Sequence, residues 1–201
     1  MQKPNDYDQI IANPDGFEAL PAGGYVCEIM EVKEVKSSTG KEMLKISLDI
    51  AEGEKKKFFA NAYKADDRKD KKWGAVMHIV TEGDYGTANL KRFVTAVERS
   101  NKNFAVAWGD KFAACFKGKL VGCLFREEDY LNAMNEKKTA VKPFMFRTAD
   151  KIREGVPVPE RKELSDEDYD KAADHAALPN PMTDADGFMN IPDGLAEELP
   201  F

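Results

Sequence analysis

The chain has 201 residues and a formal net charge of −6, and its length fits one domain with extensions rather than two full domains. No segment approaches the roughly 18 to 20 consecutive apolar residues that a membrane span needs, and the N-terminus lacks the apolar run of a signal peptide. The totals therefore predict a single-domain protein of the cytoplasm that does not enter a membrane.

The charge is distributed unevenly along the chain. From residue 154 to the C-terminus there are 13 acidic and 3 basic residues, which leaves 27 basic and 23 acidic residues in the first 153. A basic body is thus followed by an acidic end that is poor in hydrophobic residues. We expect an N-terminal arm over residues 1–20, a folded domain over residues 21–153 and a flexible acidic tail over residues 154–201.

Alternating apolar residues predict a hairpin at the start of the domain. The alternation from Tyr25 to Val35 contains slips, which is typical of a long strand with a bulge. A turn rich in Ser, Thr and Gly at residues 37–41 separates this strand from a second alternating run at residues 43–50. The segment from Lys55 to Tyr63 then predicts a third strand, on which adjacent side chains face opposite sides.

A helix and further strands are expected after this meander. Residues 88–100 place apolar residues at helical spacing behind Thr87, a suitable N-cap. Apolar runs at residues 112–116 and 120–125 flank a Lys-Gly-Lys turn, and a last strand covers residues 141–146, where Pro143 favours an edge position or a bulge. The order strand, strand, strand, helix, strand, strand is that of the OB-fold, a mainly β, five-stranded barrel. An unrelated α+β sandwich is the alternative.

The densest positive segment coincides with aromatic residues. Lys55–Lys72 has a net charge of +5 and is interleaved with aromatic rings. Cations contact phosphates and ring faces stack on unpaired bases, so this pairing favours a single-stranded nucleic acid as ligand. The alternative is that the lysines solvate a loop while the rings fill the core. The candidates here are Lys55, Lys56, Lys57, Phe59, Tyr63, Lys64, Arg68, Lys69, Lys71, Lys72 and Trp73.

A second set of candidates lies nearer the end of the domain. Trp108 belongs to a further aromatic group, many of whose rings must be core. Polar residues 127–138 are predicted to form the loop between the last two strands, which often borders the nucleic-acid groove of an OB-fold. Its cationic candidates are Lys137, Lys138, Lys142 and Arg147.

Catalysis, metals and cofactors are not expected. The chain has an odd number of cysteines, and none of them has CxxC spacing. Cys27, Cys115 and Cys123 are therefore predicted to pack as small hydrophobic residues. His78 lies in an apolar run and is expected to pack. The acids at residues 66, 67 and 70 could hold magnesium in a nuclease, although a nuclease would more naturally spread its carboxylates over strand ends.

A further alternative is an adaptor whose basic surface binds an acidic protein. An unpaired strand edge would also allow the chain to form a dimer.

The C-terminus carries the sharpest signal. The ending Asp193–Phe201 resembles the C-terminal tip of bacterial single-stranded-DNA-binding proteins, in which acids, an aliphatic residue, Pro and a terminal Phe dock on replication, recombination and repair enzymes. The matching positions here are Glu197, Glu198, Leu199, Pro200 and Phe201. A Phe ring in an apolar pocket and carboxylates at a basic rim would explain such docking physically.

The body also resembles the single-stranded-DNA-binding proteins of phages and prophages of Gram-positive bacteria, over roughly Leu20 to Val158. The matching segments are residues 20–25 (LPAGGY), 37–41 (SSTGK), 51–54 (AEGE), 89–93 (NLKRF) and 117–122 (KGKLVG). The resemblance implies a protein that binds and protects single-stranded DNA without strong sequence preference and recruits its partners through the tip. The residues alone do not separate DNA from RNA, because both offer phosphates and stacking faces.

Overall fold

A computed structural model describes residues 19–132, 134–165 and 169. Most of the predicted N-terminal arm and acidic tail, and the whole C-terminal tip, lie outside the described residues. The elements are β1 (Gly23–Lys36), β2 (Glu42–Ile50), α1 (Phe58–Ala65), β3 (Val76–Val80), α2 (Gly83–Ser100), α3 (Phe112–Cys115), β4 (Leu120–Leu131), β5 (Lys137–Arg147) and α4 (Ala149–Arg153).

The five strands form one antiparallel sheet in the order β3-β2-β1-β4-β5. The edge strands β3 and β5 approach each other, with Cα atoms within 8 Å, so the sheet curls toward a barrel. The long helix α2 connects β3 to β4. This mainly β architecture confirms the predicted fold class, and its strand order and helix placement are those of an OB-like barrel.

The β1–β2 hairpin follows the alternation in the sequence. The register shifts between Ile29 and Glu31, so the predicted bulge is confirmed. On β2, Leu44, Ile46 and Leu48 are buried, as a strand with one face on the core requires. A side-chain hydrogen bond stabilises the turn at residues 37–41: the Ser37 hydroxyl accepts from the backbone N–H of residue 41 at 3.0 Å.

The prediction of a third strand over residues 55–63 is wrong. Most of this segment belongs to α1 and the turn before it, and the third strand is β3. Phe58 and Phe59 are adjacent in the sequence, so they do not follow the alternation of buried and exposed residues that a strand requires. Their rings pack edge to face on helix α1. The Phe59 N–H donates to the buried carboxylate of Asp49 at 3.0 Å, which fixes the start of α1 against β2.

Three further boundaries differ from the expectation. Helix α2 begins at Gly83 with Glu82 as N-cap, not at Thr87. Residues 112–115 form the short helix α3 rather than a strand, because Phe112 and Phe116 pack in one aromatic cluster, as residues four apart do on a helix. The loop predicted over residues 127–138 is confined to residues 132–136, since β4 and β5 are longer than expected.

The prediction for Pro143 is confirmed. The β4–β5 register shifts between Leu124, opposite Met145, and Phe125, opposite Pro143, which marks a bulge on an edge strand. A proline has no N–H for the ladder, so this is a position at which a strand tolerates it.

Two glycines, Gly24 on β1 and Gly122 on β4, lie directly against helix α4 and its N-cap. A Cβ atom at Gly122 would stand 2.6 Å from the carbonyl oxygen of Thr148, and one at Gly24 would stand 3.0 Å from the side chain of Ile152. Only residues without a side chain allow this close approach. The two glycines therefore set the position of α4 over β1 and β4.

The folded part continues past the predicted boundary at residue 153. Lys162 pairs in parallel with β4: its carbonyl oxygen accepts from the Asp129 N–H at 2.9 Å, and its own N–H donates to the Glu127 carbonyl at 2.9 Å. Arg161 also donates to the Asp129 carboxylate at 3.0 Å. The expectation that the flexible tail begins at residue 154 is therefore wrong for these residues, because they satisfy a stretch of β4 that β1 does not cover.

Candidate nucleic-acid interface

A row of basic side chains crosses the outer face of the sheet. Lys33 on β1 lies opposite Lys45 on β2, and Lys45 lies opposite His78 on β3. All three are exposed, and their neighbours along the strands, such as Val32 and Ile46, point into the core. Because side chains alternate between the faces of a strand, the alternation that builds the core also places these three on one outer row.

The electrostatics of this row are unfavourable in the protein alone. Lys33 pairs with Glu31 at 2.9 Å, whereas Lys45 has no ion-pair partner among the residues that the structure describes. Partial desolvation of the imidazole and the charge of Lys45 lower the pKa of His78 below its ordinary value. Like charges directly opposite each other destabilise a sheet. A bound anion would relieve this repulsion.

Apolar and polar residues flank the basic row on the same face. Val35, Met43 and Val80 form the next row across the three strands and are half-buried. On the other side Ser47 lies between Val76 on β3 and the exposed Glu31 on β1, the ion-pair partner of Lys33. The outer face of β1, β2 and β3 therefore offers cations beside a partly apolar surface, a combination that suits a chain of phosphates carrying bases.

A second cluster lies where the chain enters β3. The rings of Tyr63 and Trp73 are 5.6 Å apart, and the Lys71 ammonium lies 4.6 Å from the centroid of the Tyr63 ring. The indole N–H of Trp73 donates to the backbone carbonyl of Leu48 on β2 at 2.6 Å. The structure thus brings together three of the predicted residues, and the indole hydrogen bond anchors them to the sheet.

The other predicted residues of this segment differ in what they offer. Arg68 forms a forked pair with Asp66, and these hydrogen bonds together with the Arg68 backbone N–H lower the pKa of Asp66 to about 2. The lysines at positions 56, 57, 64, 69 and 72 are exposed, and Lys55 is half-buried. Phe59 is only 7% exposed and its ring stacks on Phe125 in the core. The prediction that Phe59 stacks on bases is therefore wrong.

Trp108 is the most exposed of the predicted aromatics. It is 67% exposed, and its ring stacks on Phe112 with centroids 5.0 Å apart and an interplanar angle of 18°. Phe112 itself is buried against the core. The core thus holds one face of the indole in place. A base can stack on this ring without the entropic cost of immobilising a mobile side chain.

The cations of the β4–β5 hairpin already have carboxylate partners. Lys137 pairs with Asp129 at 2.9 Å, Lys138 with Glu136 at 3.1 Å, and Lys142 with Glu128 at 3.9 Å. These pairs neutralise three of the four predicted cations there. The fourth, Arg147, is exposed at the far end of β5, so the structure does not bring the four together.

The basic row was not among the residues predicted from the sequence. His78 was expected to pack, but it is exposed, because Met77 and Ile79 take the inward positions of β3. Lys45 stands between two buried residues, Leu44 and Ile46, so the alternation of β2 already marked it as outward-facing. Which residues stand beside it depends on the register of the sheet, which the alternation does not specify.

The described residues contain no cluster suited to a metal ion and no disulfide. No group of three or more His, Cys, Asp or Glu residues could hold a metal ion there. Cys27, Cys115 and Cys123 are free thiols, and burial raises the pKa of Cys27 and Cys123 above the ordinary range. None of the helices among these residues has the length and apolar composition to cross a membrane.

Comparisons with known proteins add no family to this description. Neither the models of known protein families nor the curated proteins match the chain.

Proposed function

We propose that this protein binds single-stranded DNA without strong sequence preference, on the outer face of β1, β2 and β3. The observation that carries the proposal is the row of Lys33, Lys45 and His78 on an exposed sheet face, in which the like charges of Lys33 and Lys45 stand opposite each other. Such an arrangement costs stability in the free protein. It becomes favourable when phosphates lie along the row and release their counterions.

The aromatic residues supply the second half of the interaction. Tyr63 and Trp73 lie at the entry to β3, and Trp108 presents an exposed ring. Stacking contributes roughly 1 to 3 kcal/mol per base and tolerates any base, because each has a π-face. Phosphate contacts are equally indifferent to sequence. Binding through these two terms would favour unpaired strands over a duplex, whose bases are already stacked on each other.

The C-terminal tip gives the protein its second role in this proposal. We propose that residues 197–201 dock on replication, recombination or repair enzymes in the cytoplasm, while the body protects the strand. This part is supported by the resemblance of these residues to the docking tip of bacterial single-stranded-DNA-binding proteins. Deleting Phe201 should leave oligonucleotide binding unchanged and abolish the capture of such enzymes. Equal loss of both functions would contradict this division.

Fluorescence anisotropy of labelled oligonucleotides tests the proposal. Oligo-dT, a matched duplex and oligo-U are titrated with the full chain and with a chain ending at Ser165, each at two salt concentrations. The shorter chain keeps Arg161 and Lys162, which the structure places against β4. We expect salt-sensitive binding to oligo-dT in preference to the duplex, by both chains. No binding by either chain would refute the proposal and favour an adaptor that binds an acidic protein.

A further inference from the structure

A second basic surface lies between α2, β5 and α4. These elements enclose an open pocket of about 320 Å³ whose lining includes Lys91, Arg92, Arg147 and Lys151. Among the described residues, none that lines the pocket is acidic. It shares no residue with the basic row on the sheet or with the Tyr63–Trp73 cluster, so it is a separate site.

The fold brings these cations together from three directions. On α2, Lys91, Arg92 and Thr95 lie on adjacent positions of one helical face. Arg147 is the last residue of β5, and Thr148 follows it as the N-cap of α4. The hydroxyls of Thr95 and Thr148 add hydrogen-bonding groups to the lining.

The positive charges of the pocket are largely uncompensated. Lys91, Arg92 and Arg147 have no ion-pair partner in the described part of the chain, while Lys151 pairs with Glu154 at 2.7 Å. The two guanidinium groups make only long hydrogen bonds: Arg92 donates to the side-chain oxygen of Asn89 at 3.4 Å and Arg147 donates to the carbonyl of Phe146 at 3.5 Å. Their donors are therefore available to an anion.

The lining favours a phosphate chain over an acidic peptide. A protein partner usually anchors itself through an apolar side chain in a desolvated pocket. Here the one large apolar residue of the lining, Phe146, is 2% exposed and already packs on Phe93 in the core. What remains accessible is the small side chain of Ala88, the aliphatic stems of the long side chains, and their cationic ends with the two threonine hydroxyls. This lining offers no cavity for a large apolar anchor, whereas its guanidinium groups match the geometry of phosphate oxygens.

We propose that the α2–β5–α4 pocket binds backbone phosphates of the same nucleic acid, beyond the segment that lies on the sheet. This inference rests on the proposed function, because it takes a single strand as the ligand. A strand long enough to reach both sites makes both sets of contacts, whereas a short strand occupies the sheet face alone. The pocket thus lengthens the binding site without adding sequence preference.

The test uses the full chain carrying Lys91→Gln and Arg92→Gln. The matched control carries Lys102→Gln and Lys117→Gln, which removes the same charge from exposed positions outside both sites. Each is titrated with oligo-dT of about 8 nucleotides, which lies within the span of one OB barrel, and of about 35 nucleotides, which exceeds it. Equal midpoints of urea unfolding show that both variants keep the fold.

We expect the pocket variant to bind the short strand like the control and the long strand about 25-fold more weakly at about 0.1 M salt, since each phosphate contact to a single strand contributes about 0.7 to the salt exponent. The same long strand affinity in both variants, or equal weakening for both strand lengths, would overturn the inference while leaving the proposed function intact. Tighter binding of a polyglutamate peptide than of the long strand, lost in the pocket variant, would assign the pocket to an acidic protein and also overturn it. If the unchanged protein binds neither strand, the proposed function fails and the inference fails with it.

Discussion

Removing the two lysines that face each other on the sheet should weaken DNA binding without weakening the fold. The change is Lys33→Gln with Lys45→Gln, which keeps both side chains nearly the same length. If each lysine contacts one phosphate, the loss lowers the salt exponent of binding by about 1.4, which corresponds to about 25-fold in affinity at about 0.1 M salt.

The expected effect on the free energy of unfolding is small. Relief of the repulsion between opposite lysines contributes about 0.2 to 1 kcal/mol in favour of the variant. Loss of the exposed Lys33–Glu31 pair costs up to about 1 kcal/mol. The two contributions nearly cancel, so the urea midpoint should remain close to that of the unchanged protein.

Anisotropy titrations of oligo-dT over a series of salt concentrations measure both the affinity and the salt exponent. The matched control again carries Lys102→Gln and Lys117→Gln, which tests whether net charge alone accounts for the effect. An unchanged salt exponent in the Lys33 and Lys45 variant would show that the outer face does not contact phosphates. Equal weakening by the control would show that binding follows total charge rather than this row.

Three other perturbations test the assignment of individual residues. Trp108→Ala should weaken oligo-dT binding by about 1 to 3 kcal/mol of stacking energy with little change in the urea midpoint, because the ring is mostly exposed; unchanged affinity would remove it from the interface. Phe59→Ala should instead lower the free energy of unfolding by about 3 to 5 kcal/mol, since it empties a core position; a midpoint near that of the unchanged protein would contradict its burial. Arg161→Ala should lower the urea midpoint at neutral pH. Hydrogen bonds from Arg161, then Lys137, hold the pKa of Asp129 well below its usual range, so this stabilisation is present above pH of about 4 and is lost as the pH falls further. The difference in urea midpoint between the Arg161 variant and the unchanged protein should therefore become smaller as the pH falls below about 4. A difference that stays the same at all pH values would refute the role of the Arg161–Asp129 pair.

The sequence patterns predicted the strands whose one face is buried. In β1 and β2 the alternation of apolar and polar residues follows directly from a sheet with one side on the core, and even the bulge after Ile29 left a slip in that alternation. Pro143 marked a bulge because proline cannot donate to the ladder. These signals are local, so they could be read without knowing the neighbouring strands.

Local signals failed where tertiary contacts determine the conformation. Most of the segment at residues 55–63 belongs to helix α1, in part because the Asp49 carboxylate on β2 accepts the Phe59 N–H. The five residues of β3 are too few for a periodic pattern to stand out, yet they complete the outer face. The extension of the fold to Lys162 depends on a stretch of β4 that β1 does not cover.

The sequence by itself determined the basic body, the acidic end, the mainly β class and the presence of cations among aromatic rings. Only the tertiary structure decided which of those cations could act together. Sheet register aligned Lys33, Lys45 and His78, and the packing of α2 against β5 and α4 assembled the second basic pocket. Carboxylates on β4 and in the turn after it neutralised lysines that had looked equally available. The sequence specifies which residues are charged, but the distances between those charges depend on contacts between residues far apart in the chain.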